Sequence, residues 1–144
     1  MFRPDKPPVK ALERLSENQL TTIYNKVSSL VVSETTYWIN EEVQKQGLGK
    51  TFLDIQNNRD KDGKPKQRLV VTREALEQWS AQMAEKAHRD IKNGYYDVED
   101  KEAAHELGRF YDEELSKNDK EQIFVAALKP QYGSLLELPE PYNQ

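Results

Sequence analysis

A stripe of apolar residues between positions 72 and 93 is the clearest structural pattern in the chain. Its members recur at steps of three and four: Leu76, Trp79, Met83, Ala87 and Ile91. On a 3.6-residue repeat they share one face, and charged or amide side chains cover most of the remainder, so the pattern predicts an amphipathic helix. Thr72 suits the N-cap of this helix, and Gly94 suits its left-handed stop.

The preceding segment predicts two helices. Ser16 and Gln19 form an S-x-x-Q capping box, which starts a helix whose apolar face carries four residues: Leu20, Ile23, Tyr24 and Val27. The β-branched run at residues 30–32 departs from that spacing, so we expect a turn or a frayed end there. Ser33 then caps a second helix, which ends near Gln46, just before the glycine at position 47.

Two short β-prone runs follow, at residues 51–56 and 68–71. In the first, Leu53 and Ile55 alternate with polar residues, and the second is Leu-Val-Val preceded by Arg68. An Asp-Gly pair, typical of a tight turn, lies between the two runs. The pattern therefore predicts a β-hairpin with a long basic tip.

The C-terminal part predicts two more helices after a loop at residues 94–100. The first carries an apolar face made of Ala104, Leu107, Phe110, Tyr111 and Leu115. Asn118 and Glu121 predict a cap for a short last helix, and Pro130 is expected to stop it. The predicted fold is mainly α with one β-hairpin (α+β), in which the hairpin lies between the second and third of about five amphipathic helices.

Length and composition indicate one domain. The 144 residues suffice for a single core, which we place at residues 11–130, between a mobile proline-rich arm at 1–10 and an extended tail at 131–144. The lack of cysteine excludes disulfides and thiolate metal sites and fits a reducing cytoplasm. No stretch approaches the roughly 18 apolar residues of a membrane span, and we expect neither a signal peptide nor a membrane partner.

Charge is unevenly distributed around a net value of −4. Between residues 57 and 73, two acids face six bases: Arg59, Lys61, Lys64, Lys66, Arg68 and Arg73. Between residues 94 and 122, ten acids face four bases. The chain thus combines a basic patch with a broad acidic face, and such asymmetry bears on partners rather than on fold.

Catalytic and metal-binding patterns are incomplete. Four residues match the opening of an EF-hand calcium loop, namely Asn58, Asp60, Asp62 and Gly63, but Leu69 stands where the bidentate glutamate belongs. His88 and His105, with Asp90, Asp97 and Glu106 nearby, offer ligands for zinc, iron or manganese but lack the spacing of known motifs.

Nucleotide-binding and nucleophilic motifs are also missing. Gly47-Leu-Gly-Lys-Thr51 lacks the earlier glycine and the preceding strand of a phosphate-binding loop, and no G-x-S-x-G occurs. We therefore predict no enzymatic activity, no metal and no cofactor.

Residues 32–39 (VSETTYWI) open the second predicted helix, Gly47-Leu48 close it, and residues 68–79 (RLVVTREALEQW) form a predicted strand and the start of the next helix. These three segments resemble the excisionase and MerR-like family of winged helix-turn-helix DNA-binding domains, in which the strand belongs to the wing. The resemblance covers about residues 16–80. It implies that the second helix enters the major groove and that the hairpin is the wing.

The resemblance also implies that Lys61, Lys64, Lys66 and Arg68 contact backbone phosphates. The basic patch adds Arg59 and Arg73 to these candidate nucleic-acid-binding residues. A departure lies in the second predicted helix, which carries three acids and a single base: Glu34, Glu41, Glu42 and Lys45. We therefore assign base recognition to no residue of that helix.

These patterns leave two non-catalytic hypotheses and one catalytic hypothesis. The first is a DNA-binding accessory or regulatory protein of a phage, plasmid or other mobile element. The second is an acidic inhibitor, immunity-type protein or DNA mimic that binds a basic protein partner through its C-terminal acidic helices, with Asp112, Glu113 and Glu114 as contacts. The third is a metal-dependent enzyme. The sequence does not indicate the oligomeric state.

Overall fold

The structure of the protein, a computed structural model, describes residues 12–13, 15–93 and 98–143. Within these ranges the fold is mainly α-helical, which confirms the predicted class (mainly α, α+β), and its two strands form a parallel sheet. The helices are α1 (Glu17–Lys45), α2 (Phe52–Asn57), α3 (Arg73–Asn93), α4 (Val98–Arg109) and α5 (Lys117–Tyr132). The strands are β1 (Leu69–Val70) and β2 (Leu136–Glu137), and a π-helical turn at Phe110–Glu114 continues α4.

Helix α3 is the centre of the fold and matches the prediction closely. It packs against α1, α4 and α5, and all five residues of its apolar stripe are buried. The Thr72 hydroxyl accepts a hydrogen bond from the Ala75 amide at 3.0 Å, which confirms the predicted N-cap. The expected stop at Gly94 lies outside the described residues, as do the arm at 1–10 and residues 94–97 of the loop expected at 94–100. The remaining three residues of that expected loop, from Val98, instead begin α4.

Helix α1 is one continuous helix of 29 residues, so the predicted break at residues 30–32 is wrong. Ser16 caps its start as predicted, but Ser33 lies exposed in its interior and caps nothing. Leu30 and Val31 are buried at helical spacing, whereas Val32 is 56% exposed. Burial of two apolar side chains outweighs the small helix penalty of valine. The turn that a helix-turn-helix requires is therefore not present in Glu17–Lys45.

Residues 52–57 form helix α2 rather than the first strand of a hairpin. The Thr51 hydroxyl accepts from the Asp54 amide, and the Asp54 carboxylate accepts from the Thr51 amide at 3.0 Å, which makes a reciprocal cap. Phe52 and Ile55 are buried, whereas Leu53 is 61% exposed. The alternation at Leu53 and Ile55 was misleading because the pair that shares a face is three residues apart.

The second predicted strand does form, but its partner is different. Strand β1 pairs in parallel with β2, with Leu69 opposite Leu136 and Val70 opposite Glu137. The expected tail at 131–144 thus contributes a strand, and it buries three leucines: Leu135, Leu136 and Leu138. An antiparallel bridge between Arg59 and Pro65 closes the predicted Asp-Gly turn as a small loop between α2 and β1.

The C-terminal helices confirm the predicted apolar face and correct two boundaries. Every residue of the stripe from Ala104 to Leu115 is buried. Ser116 rather than Asn118 caps α5, because its hydroxyl accepts from the Asp119 amide at 3.1 Å. Pro130 does not stop α5, which continues to Tyr132. The buried Tyr132 ring packs against Phe52 at 5.5 Å, and this contact helps to hold the last turn.

No helix among the described residues combines the length and apolar character needed to cross a bilayer.

Replacement of Glu34 by proline distinguishes one long helix from two. If Ser33 were an N-cap, position 34 would be the first helical residue, where proline is favoured. Inside α1, proline removes a backbone hydrogen bond and clashes with the preceding turn, so Glu34→Pro should lower the free energy of unfolding by about 3 kcal/mol or more. Urea unfolding followed by circular dichroism measures this effect.

Glu34→Ala is the matched control for this variant. It removes only the half-exposed ion pair between Glu34 and Lys86, whose atoms lie 3.6 Å apart, and should cost less than about 1 kcal/mol. Equal stability of the proline and alanine variants would show that α1 is interrupted at this position.

Candidate nucleic-acid interface

The loop between α2 and β1, residues 58–66, carries most of the predicted nucleic-acid-binding residues and is called the basic loop here. Asp60 fixes its backbone: the Oδ1 atom accepts from the amide of Asp62 at 2.8 Å and from that of Lys64 at 3.0 Å. The Asp60 amide in turn donates to the Lys64 carbonyl at 2.8 Å, and Gly63 takes a φ of 80° at the turn. Hydrogen bonds within the loop therefore fix the shape of its turn.

Three lysines project from this loop. Lys61, Lys64 and Lys66 are exposed, and the ion pairs formed among the described residues do not include them. At the base of the loop, the Lys50 ammonium donates to the Gln67 side chain at 3.3 Å, which adds a fourth cation nearby. The loop thus presents several ammonium groups to solvent in a protein whose net charge is negative.

The arginines of the predicted set have intramolecular partners. Arg59 donates from Nε to the Gln56 carbonyl at 2.9 Å and from Nη1 to the Gly63 carbonyl at 3.0 Å, so its guanidinium braces the basic loop. Arg68 donates from Nη2 to the carbonyls of Gly133 and Leu136, at 3.1 and 2.6 Å. The guanidinium groups of both arginines are therefore engaged in hydrogen bonds to backbone carbonyls within the fold.

Arg73 forms an ion pair with a buried carboxylate. Its guanidinium donates to the carboxylate of Glu121, which is 4% exposed, and to the carbonyl of Glu140. The hydrogen bond that Arg73 donates to Glu121 raises the pKa of the guanidinium, so the arginine stays charged. Burial and the Glu121 charge raise the pKa of the nearby Tyr142 to about 12, which keeps its hydroxyl neutral.

Sequence patterns did not reveal this role of Glu121. The glutamate was assigned to a helix cap, because its spacing from Asn118 fits a capping box. Its partner Arg73 lies 48 residues away in the sequence, and neither local periodicity nor motif spacing reports on such a pair. One signal for a buried role is available in the sequence: the helical repeat places the acid Glu121 near the apolar face of α5.

The candidate calcium loop uses its oxygens for the turn. Asp60, the second of the predicted ligands, already accepts two backbone amides, and the neighbouring lysines surround it with positive charge. Within the described ranges, no group of three or more His, Asp or Glu side chains is placed to hold a metal ion.

The two histidines meet at the contact between α3 and α4. Their ring centroids lie 5.4 Å apart, and His88 Nδ1 is 3.1 Å from the Asp112 carboxylate. His88 Nε2 and His105 Nδ1 are buried, and neither has a hydrogen-bond partner among the described residues. Gly108 lets the helices approach, because a Cβ there would lie 2.7 Å from His88 Cδ2. Of the acids expected beside the histidines, Asp97 lies outside the described residues, and Asp90 and Glu106 form no hydrogen bond with an imidazole within the described structure. The acid that bonds His88 is Asp112, which was not in the predicted set.

The acids predicted to bind a basic partner are engaged within the fold. Asp112 contacts His88, whereas Glu113 and Glu114 lie 4.0 and 3.0 Å from the Arg109 guanidinium. Arg109 also pairs with Glu106 at 3.0 Å, and this pair lowers the pKa of Glu106. One cation thus compensates three carboxylates on this exposed face, which reduces the field available to an incoming cationic partner.

Loss of the Arg73 guanidinium should destabilise the protein by leaving Glu121 buried without a counter-charge. We expect Arg73→Met to lower the free energy of unfolding by about 2–3 kcal/mol. The value is placed below that of a fully buried pair because the Arg73 side chain is 43% exposed. Urea unfolding of Arg73→Met with and without Glu121→Gln measures the coupling. The double variant should recover part of the loss, and a double variant no more stable than Arg73→Met would refute the pairing.

Replacement of Gly108 by alanine tests the close approach of α3 and α4. Alanine at a free helical position usually stabilises by about 1 kcal/mol relative to glycine. Here its Cβ would meet His88 at 2.7 Å from a side-chain carbon and 3.0 Å from Cα, so Gly108→Ala should instead destabilise by about 1–3 kcal/mol. A variant with a raised melting temperature would show that the helices are farther apart.

No protein-family model matches the chain, and neither a curated protein nor a solved structure matches it. A function must therefore be argued from its own side chains and surfaces. Among the predicted contact residues, the lysines of the basic loop face solvent, whereas the arginines and the acidic trio have partners within the fold.

Proposed function

We propose that this protein binds nucleic acid through the basic loop, which contacts the phosphate backbone. The supporting observation is the exposed set of Lys61, Lys64 and Lys66 on a loop whose backbone is fixed by Asp60. Ammonium groups release condensed counterions when they meet phosphates, and this release drives binding that does not depend on base sequence.

The fixed shape of the basic loop favours such contacts. A mobile loop would lose conformational freedom on binding, and that loss would reduce the affinity. Here the Asp60 carboxylate and the Arg59 guanidinium already bond the backbone of the turn, at distances between 2.8 and 3.0 Å. The lysine stems keep their own flexibility, which suits contacts to a backbone of regular charge spacing rather than to particular bases.

Base recognition is left out of the proposal. The face of α1 that carries Thr35, Ile39 and Val43 is buried, so it cannot enter a groove. The residues exposed elsewhere on this half of α1 include Tyr37, the acid Glu41 and a single base, Lys45, so this surface has no excess of positive charge to attract phosphate. The role that fits is an accessory or regulatory protein that holds nucleic acid by its phosphate backbone, and the support for it is the exposed charge of the basic loop rather than a winged-helix architecture.

The salt dependence of duplex binding tests this proposal. With about three phosphates neutralised, the logarithm of the association constant should fall against the logarithm of salt concentration with a slope of about −2.7. Affinity for a fluorescein-labelled duplex should then drop about 40-fold between roughly 50 and 200 mM NaCl, as measured by fluorescence anisotropy.

Charge reversal within the loop locates the contact. Lys64→Glu with Lys66→Glu should weaken binding to every duplex sequence. It should also reduce the magnitude of the salt-dependence slope by the contribution of about two phosphate contacts. Lys101→Glu with Lys117→Glu is the matched control, because it makes the same change in net charge at two exposed lysines on α4 and α5. Equal weakening by both pairs, or undetectable duplex binding by the unmodified protein at about 50 mM salt, would exclude the proposal.

A further inference from the structure

A cleft between α1 and α3 brings together both tryptophans of the chain. It has a volume of about 300 Å³, and its lining includes Trp38, Glu41 and Glu42 from α1 and Gln78, Trp79 and Gln82 from α3. The chain has only these two tryptophans. An aromatic wall beside two carboxylates and two amides is a combination that none of the contacts described above explains.

Glu42 is a buried carboxylate without a cationic partner. Its residue is 7% exposed, and its Oε2 atom accepts a hydrogen bond from Gln46 Nε2 at 2.8 Å. The ion pairs among the described residues do not include Glu42, and its Oε1 atom accepts from no donor in that part of the chain. An incoming positive charge would strongly stabilise a carboxylate in such surroundings.

Lys45, the base that lines the same cleft, does not neutralise these carboxylates by an ion pair within the described structure. It is exposed in the last turn of α1. Glu41 is exposed and lies at the mouth of the cleft. The cleft therefore combines one buried and one exposed carboxylate, and within the described ranges neither forms an ion pair.

The tryptophans restrict the kind of cation that fits. Trp79 is 4% exposed, and the half-buried Trp38 packs against Phe124 at a centroid distance of 6.4 Å, so both indoles are held in place. Indole faces attract organic cations, whose weakly hydrated groups and apolar stems can lie against the ring. A small metal ion would instead need a cage of several oxygens.

We propose that the α1–α3 cleft binds an organic cation, a guanidinium or alkylammonium group, whose charge meets the carboxylates of Glu41 and Glu42 while its stem packs on the accessible part of Trp38, with the buried Trp79 beneath. The group can belong to a free small molecule or to a side chain of another protein. The proposal is independent of the basic loop, because it concerns different residues and the opposite ligand charge.

Intrinsic tryptophan fluorescence provides a direct readout, because both tryptophans of the chain line the cleft. The unmodified full chain is titrated with agmatine, butylammonium and tetramethylammonium chlorides, and with NaCl at the same ionic strength. At least one organic cation should change the emission saturably, whereas NaCl should not. An absent or non-saturable change with all three cations, or an equal change with NaCl, would overturn the proposal.

Removal of the cleft charge should weaken binding. Glu41→Gln with Glu42→Gln should raise the dissociation constant about tenfold or more, as expected for loss of charge-assisted hydrogen bonds. Glu85→Gln with Glu102→Gln removes two exposed carboxylates elsewhere and should leave the constant unchanged. If the buried Glu42→Gln variant fails to fold, the exposed Glu41→Gln variant alone still has to weaken binding, and unchanged binding in it would overturn the proposal.

A capped arginine peptide with neutral flanking residues separates the two sources of the cation. Binding of both the peptide and agmatine supports recognition of a side chain on another protein. Binding of agmatine without the peptide supports a free small molecule, because the peptide backbone would then be excluded from the cleft.

Discussion

Two arginines that bracket β1 fasten the C-terminal segment to the helical core. Arg68 donates to the carbonyls of Gly133 and Leu136, and Arg73 donates to Glu121 and to the Glu140 carbonyl. Between these anchors β1 and β2 pair in parallel, and the three leucines of the segment are buried. A guanidinium suits this task because its planar fork bonds several oxygens at once. Without these anchors, β1 would be a free edge beside α3.

These hydrogen bonds also distinguish cations that stabilise the fold from cations that are exposed and can bind a partner. The local excess of base counts arginines and lysines alike, yet Arg59, Arg68 and Arg73 bond carbonyls or a carboxylate, whereas the three loop lysines extend into solvent. Lysine is a compact and strongly hydrated charge, and it gains little from replacing water with a single carbonyl. Because the arginines are bonded within the fold and the lysines are exposed, the lysines make the basic loop a candidate contact surface in an acidic protein.

Local sequence rules succeeded where a single element decides the outcome. The stripe of α3, the Thr72 cap and the apolar face from Ala104 to Leu115 follow from helical spacing alone, and the structure confirms them. The break in α1 and the hairpin were wrong because burial of Leu30 and Val31, and the pairing of β1 with β2, depend on distant parts of the chain. The α1–α3 cleft was likewise beyond prediction, since its two tryptophans lie 41 positions apart in the numbering.

Backbone amide chemical shifts of isotopically labelled protein, followed during titration with a short duplex, test the central claim that free lysines rather than anchored arginines meet nucleic acid. Shifts should concentrate at residues 58–66, while the amides of residues 68–73 and 135–138 stay near their starting positions. Shifts centred on residues 34–45 of α1, or on the segment that Arg68 and Arg73 hold, would contradict it.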